Sequence, residues 1–368
     1  MRSDVIYDIA LTMAKGVGPV VARRLINSLG CARAVLEASR GVLEKIPGVG
    51  SVIALQVKEP NLLKRAEKEL LFLEKIGGRV LAQDFEDYPY RLKECEDSPI
   101  LLYQKGKLNL NVKRSVGIVG TRKMTQYGRD LIVNVVKDLA KELPDCLVVS
   151  GLAHGVDGLS HRSSVELGLQ TVGVVGHGLD MIYPAEHRTL AGKMMSNGGL
   201  LTEFHSNCVV DRKNFVSRNR IIAGLSDVVL VVESGEKGGA LLTADFAASY
   251  NRDVCAFPGR VGDAYSKGCN MLIKENRAVL VENAGDIIRM MNWDQKPSPK
   301  EPIQLSLFVE LDARERLVVQ LLEMEGRMHI DQMSRRLQWK MNELSTQLFE
   351  LEMKDLVRSF PGGVYGLK

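Results

Sequence analysis

The chain has 368 residues, 45% of them hydrophobic and 26% charged, with a formal net charge of +4. That length and balance suit two or three globular domains with their own cores, and they exclude a disordered, fibrous or collagen-like chain. The mild positive charge permits an anionic partner such as nucleic acid without demanding one. No apolar run approaches the ~18 residues that a membrane span needs, and no secretory leader pattern opens the chain. The expectation is a cytoplasmic protein with no membrane partner. Six scattered cysteines with no C-x-x-C pair suggest neither a zinc site nor a disulfide framework.

Residues 1–78 read as a helical domain. Two similar turns, Lys15-Gly16-Val17-Gly18-Pro19 and Ile46-Pro47-Gly48-Val49-Gly50, each open a helix. Glycine lets such a turn bring backbone N–H groups close to a phosphate. The pattern resembles the helix-hairpin-helix module, which positions a DNA backbone without reading its sequence. The same glycines would also serve as plain helix caps in a packing domain. A connecting helix runs to Ile76, where Gly77-Gly78 stops it.

Residues 79–291 begin with a turn-rich lead-in segment holding one apolar strand. From Arg114 onward, apolar strands alternate with helical segments, the signature of a Rossmann-like doubly wound parallel sheet. Strands are expected at 116–119, 147–149, 171–175, 200–201, 228–232, 254–257 and 279–281. Nearly every one ends in glycine or a small polar residue, including Gly120-Thr121, Ser150-Gly151, Gly176-His177-Gly178, Ser234-Gly235 and Pro258-Gly259. The carboxyl edge of the sheet is therefore the expected site.

Residues 292–311 form a Pro-rich polar linker by composition. Residues 312–368 read as three helices and a hairpin, the winged-helix order. Acids and bases are nearly balanced there, so the basic footprint of a DNA reader is missing, and the lobe suits a protein partner equally well.

Three stretches bear on chemistry. Ser115 to Arg122 is a short apolar run ending in Gly120-Thr121-Arg122-Lys123, a strand that delivers a phosphate-grasping turn with a fixed charge. Its G-x-x-G spacing is too loose for a dinucleotide fingerprint. Asp211 to Arg220 places four cations, Arg212, Lys213, Arg218 and Arg220, around Phe215 in ten residues. Read as a loop, it supplies cations for phosphates and a ring for an unpaired base. A solvated loop with Phe215 folded inward is the blander alternative. Gly238-Gly239 opens another anion-ready helix, yet the Ala-Leu-Leu-Thr-Ala-Asp that follows lacks the glutamate of a nucleotide hydrolase of the cytokinin-activating kind. His154, Asp157 and His161 lack a third ligand at a recognised metal-site spacing and a nucleophile held by a base, so they read as structural, with Asp157 capping a helix. No metal, no cofactor and no enzyme are expected.

Taken together, Ile118-Val119-Gly120-Thr121-Arg122, Ser150-Gly151-Leu152-Ala153-His154-Gly155-Val156-Asp157, Gly178-Leu179-Asp180 with Tyr183-Pro184, Phe215 through Ser226 and Phe257-Pro258-Gly259 resemble the DprA/Smf family of bacterial DNA-processing proteins. The resemblance implies a protein that binds single-stranded DNA without sequence preference, forms a homodimer and loads the RecA recombinase on incoming strands during natural transformation. It further implies that Arg122 holds a phosphate, that Arg212 or Lys213 adds a cation, that Phe215 lies beside the bases, and that Arg218 and Arg220 complete the pocket, with Asn219 bracing its wall. Val216 stands where the family usually has proline, and His154 where it usually has arginine or lysine. In the linker, Gln304, Leu305, Leu307 and Phe308 of Gln-Leu-Ser-Leu-Phe are similar to the pentapeptide with which bacterial replication proteins dock on the sliding clamp. Two rival classes stay open: an enzyme acting on a nucleotide at the same edge, and a transcription regulator working through the winged-helix lobe.

Overall fold

The computed structural model describes residues 4–294, 311–360 and 363–368. The chain divides into two compact units, Met1–Asp294 and Gln295–Lys368. The clamp-like motif Gln304–Phe308 and most of the expected linker lie outside the described residues.

The first unit opens with helices α1 (Val5–Thr12), α2 (Pro19–Leu29), α3 (Ala32–Glu37), α4 (Arg40–Glu44), α5 (Ser51–Val57) and α6 (Leu62–Ile76). The two glycine turns join α1 to α2 and α4 to α5 as their spacing predicts, and Arg24 Nη1 ties them together by donating to Pro47 O at 2.9 Å. Ile9, Leu25, Leu43 and Ala54 of these helices share one buried cluster with Leu101, Tyr103 and Met194 from beyond residue 78. The expected division at 78 thus marks the change from helix to sheet, and a single apolar core crosses it.

The sheet has nine strands in the order β1-β2-β6-β5-β4-β3-β7-β8-β9. The lead-in segment contributes β1 (Gly78–Ala82), the short helix α7 (Tyr90–Lys93) and β2 (Leu101–Lys107). These strands run antiparallel to each other, and β2 runs antiparallel to β6. The parallel part comprises β3 (Ser115–Val119), β4 (Leu147–Ser150), β5 (Gln170–Val174), β6 (Gly198–Thr202), β7 (Val228–Val231), β8 (Asp253–Ala256) and β9 (Val279–Leu280). The interleaved helices are α8 (Gln126–Glu142), α9 (Val156–Glu166), α10 (Arg188–Met194), α11 (Arg212–Leu225), α12 (Gly239–Ser249), α13 (Lys267–Lys274) and α14 (Ala284–Met290). Helices cover both faces, so central strands such as β3 and β7 are buried throughout and read as unbroken apolar runs. Each fully buried Val, Leu or Ile contributes roughly 1.5–3 kcal/mol. The strand order reverses between β3 and β7, which puts a crevice at their carboxyl ends.

The second unit carries α15 (Ala313–Glu325), β10 (Met328–His329), α16 (Ile330–Leu337), α17 (Met341–Met353), β11 (Val357–Phe360) and β12 (Val364–Leu367). Its three strands pair in the order β10-β12-β11, completing a winged helix. Asp312 caps α15 reciprocally with Glu315, whose side chain is buried and paired with Lys354 at 2.6 Å.

Candidate nucleic-acid interface

The turn after β3 is clamped from two sides. Thr121 N–H donates to Glu233 O beyond β7 at 2.8 Å, and Val156 N–H at the start of α9 donates to Thr121 O at 3.2 Å. Lys123 N–H closes the turn on Thr121 Oγ1 at 3.1 Å. Gly155, at φ +76°, lets α9 approach this closely, since a Cβ there would lie 2.3 Å from Thr121 O and 2.7 Å from the Arg122 backbone. Gly120 and Thr121 therefore serve as a rigid footing. From it Arg122 projects, exposed and without a hydrogen bond or ion pair among the described residues.

Arg122 lines a pocket over the ends of β4 and β5, together with Leu152, His154, His177, Tyr183, Phe215 and Arg218. Arg218 is 5% exposed. It donates through Nη1 to Val174 O, while its Nε has no hydrogen-bond partner among the described residues. Burial lowers the Arg218 pKa to about 10, against the pull of Asp157. Burial likewise raises the Asp157 carboxyl, with Arg218 opposing that shift. Arg122 and Arg218 thus put two positive charges in the lining of one pocket. Tyr183 and Phe215 stand beside it with ring centroids 5.5 Å apart and planes inclined by 47°. Leu152 is held at φ +107°, and its carbonyl accepts from His187 Nδ1 at 2.9 Å. Such backbone costs about 1–3 kcal/mol and gathers at functional sites.

The expected residues separate into three groups. Arg122, Phe215 and Arg218 meet in the pocket. Lys123, Arg212 and Lys213 are exposed and not part of its wall. Asn219 and Arg220 point elsewhere: Asn219 Nδ2 donates to Gly239 O at 3.4 Å, and Arg220 pairs through Nη2 with Glu203 and through Nε with Asp97 at 3.7 Å. Arg220 does not complete the pocket; it neutralises two carboxylates inside the fold. Nor is the stretch 211–220 a loop. Asp211 accepts from Lys213 N–H at 3.0 Å and caps α11, so the basic run forms its first turns. Asp157 also differs from its expected role: Gly155 is the cap of α9, and Asp157, inside the first turn, accepts from Ala153 N–H at 3.3 Å.

Leu152, His154, His177 and Tyr183 also line the wall, unexpected from the sequence, in which His154 reads as structural. Tyr183 N–H donates to His177 Nε2 at 3.3 Å, and His177 Nδ1 donates to Gly178 O at 2.8 Å. Burial lowers the His177 pKa. The available signal was Tyr183-Pro184, a rigid aromatic dipeptide close after a strand-end glycine turn.

On the other side of the Arg122 turn, at the β3–β7 crevice, the cap residue of α8 is held from within. Thr125 N–H and Oγ1 donate to Glu233 at 2.8 and 2.6 Å. Gly128 makes the room, because a Cβ there would sit 2.3 Å from Glu233 Oε2. A nucleotide phosphate would meet a carboxylate at the position where dinucleotide-binding proteins offer free N–H groups. Among the described residues, no group of three His, Cys, Asp or Glu side chains could hold a metal ion, and no helix is long and apolar enough to cross a membrane.

These features define a Rossmann-like α/β protein with an anion-and-aromatic pocket at its strand ends, flanked by a helical region and a winged helix. Known proteins agree. Residues 79–292 match the family described as DNA recombination-mediator protein A, and residues 298–363 match the DprA winged helix domain. Protein Smf of Synechocystis sp. is 35% identical over 288 residues, spanning 76% of this chain and 71% of that protein. The DNA processing protein DprA of Bacillus subtilis is 39% identical over 203 residues, 55% of this chain and 67% of that one. The X-ray structure of DprA from Streptococcus pneumoniae superposes with a TM-score of 0.64 at 28% identity, covering 77% of this chain and 97% of that one. DprA from Helicobacter pylori, whose structure was described for its single-stranded DNA binding mode, gives 0.53 at 27% identity, covering 59% and 96%. The chain belongs to the DprA/Smf family.

Proposed function

We propose that this chain binds single-stranded DNA without sequence preference in the Arg122–Phe215 pocket, protects incoming strands and, as a homodimer, loads RecA on them during natural transformation, with no catalytic step of its own. The observation that carries the reading is the meeting of an exposed, unpaired Arg122, a buried Arg218 with an orphaned Nε and the Tyr183–Phe215 pair in one wall. The cations suit phosphate oxygens and the rings suit unpaired bases, and neither contact reads sequence. Family membership and the single-stranded DNA described for the Helicobacter pylori relative point the same way.

The test is an anisotropy assay on single-stranded DNA, duplex and mononucleotide at two salt concentrations. If about four phosphates are engaged, a slope near −2.8 gives roughly a 50-fold affinity loss between 50 and 200 mM salt. Arg122→Ala is expected to weaken all single-stranded sequences about equally; normal binding by this variant would refute the pocket. The nucleotide-enzyme rival requires mononucleotide to bind as well as a strand, and the Glu233 carboxylate at the crevice argues against phosphate there. The duplex-reader rival requires preference for one sequence. Helix α17, the recognition position of a helix-turn-helix, carries Glu343, Glu350 and Glu352 and no lysine or arginine between Met341 and Met353.

A further inference from the structure

Three residues past Arg122 the chain enters a second cleft. About 790 Å³ of open space lies among the carboxyl ends of β3, β7 and β8, lined by Thr125, Tyr127, Glu233, Arg260, Tyr265 and Ser266. Tyr127 is 49% exposed. Its hydroxyl donates to Pro258 O at 2.8 Å, which fixes the ring against this wall. Tyr265 is half-buried in the same lining, and its carbonyl accepts from Ser234 N–H at 2.7 Å. Arg260 is exposed, and its side chain has no ion pair among the described residues.

The chemistry of this cleft selects what can enter. Glu233, 4% exposed, spends one bond per carboxylate oxygen on Thr125 and presents its remaining lone pairs. A carboxylate repels phosphate, while it accepts from the N–H groups on a base edge. Two tyrosines offer stacking faces, and the rim arginine suits the phosphate that stays outside. Distance also fits one continuous strand. At 3.3–3.6 Å per residue, Arg122 and Thr125 lie within about 11 Å, which about three nucleotides cover at the stacked rise of 3.4 Å.

The geometry points to a second base subsite: an unpaired nucleobase of the strand anchored at Arg122 enters the Tyr127–Tyr265 cleft, with Arg260 on its flanking phosphate. This inference rests on the single-strand reading of the Arg122 pocket, and the experiment separates the two. Oligothymidylates of increasing length are titrated against the full chain and three variants: Arg122→Ala, Arg260→Ala, and Tyr127→Ala with Tyr265→Ala. A strand just long enough for the Arg122 pocket is expected to bind the double tyrosine variant as it binds wild type. A 12-mer is expected to lose roughly tenfold, the size of one lost stacking contact. Arg260→Ala, a surface change that leaves the core intact, is expected to lower the salt slope of the 12-mer by about 0.7 and to leave the short strand unaffected. A 2-aminopurine placed inside the 12-mer is expected to be quenched by wild type and recovered in the tyrosine variant, while Tyr127→Phe keeps the quenching. If Arg122→Ala loses affinity and neither Arg260→Ala nor the tyrosine variant differs from wild type at any length, the subsite is refuted and the first pocket stands. If Arg122→Ala binds normally, the single-strand reading itself falls.

Discussion

The cleft beside Arg122 and the cleft above Glu233 flank the same turn, yet they present opposite charge. Both sit where parallel strands end and helices begin, so the backbone offers each of them similar N–H groups. Side chains decide the difference. On the β4–β5 side, neither the exposed Arg122 side chain nor the buried Arg218 Nε has a hydrogen-bond partner among the described residues. On the β7–β8 side, the Glu233 carboxylate occupies the cap of α8, accepting from Thr125 N–H and Oγ1. The side chains at the strand ends thus distinguish two clefts of one sheet, and membership of the Rossmann-like class says little about which ligand is held.

Helix α11 repeats the contrast within three residues. Arg218 turns to the pocket, whereas Arg220 turns to Glu203 and Asp97, with 6% of its side chain exposed. Burial raises the Glu203 carboxyl, and the Arg220 charge pulls it back. Removing one partner of such a buried pair typically costs about 3–5 kcal/mol. Arg220→Ala is expected to lower the unfolding free energy by an amount of that order, read as a lower urea midpoint, while the fraction that stays folded in the cold binds single-stranded DNA as wild type does. Arg122→Ala is expected to do the reverse, leaving the midpoint unchanged and weakening DNA. Full stability with lost binding in Arg220→Ala would break this division of roles.

A smaller effect tests the filled cleft. Glu233→Ala leaves Thr125 N–H and Oγ1 at the start of α8 without their acceptor, a loss of about 1–3 kcal/mol where the group stays buried. The same change opens the anion seat. Sulfate is therefore expected to raise the melting temperature of Glu233→Ala more than that of wild type, as binding to the native state must. Equal shifts in the two proteins would show that Glu233 does not substitute for an anion.

How much of this was legible in the sequence depends on how far apart the interacting residues are. The parallel strands showed as unbroken apolar runs because helices cover both faces, and the strand-end glycines showed as the breaks where those runs stop. Thr121 and Arg122 were legible because strand, turn and helix are contiguous. The role of Arg220 was not: Glu203 and Asp97 lie 17 and 123 positions away in the chain, and only the folded sheet brings them in. The start of α11 was hidden because its first turns are polar and show no apolar period, although Asp211 is a good cap. The one apolar strand expected in the lead-in is β2, whereas β1 was obscured because it begins at the helix-stopping glycines and its partner β2 lies about twenty residues on. Glu233 follows a strand end like many others, and nothing local marks it as the carboxylate that fills the start of α8.

A third cleft, of about 430 Å³ between the helical region and the lead-in segment, gives the most separable effect. It is lined by Asp4, Asp8 and Asp84 together with Arg33 and Lys93. Burial first, then the charges of Asp84 and Asp4, push the Asp8 pKa up to about 7. An unfolded chain releases this proton near pH 3.9. Between these two values the native state holds the proton that the unfolded state has lost, so the contribution of Asp8 to stability falls as pH rises from about 4 to 7 and then levels off. Asp8→Asn keeps the shape and removes the titration. The difference in urea midpoint between Asp8→Asn and wild type is expected to be smallest near pH 4 and to grow in favour of the variant up to about pH 7. DNA affinity should be unchanged, since Asp8 lies in neither strand-end cleft. A difference that stays flat across that range would show that Asp8 ionises in the folded protein as it does in the unfolded chain.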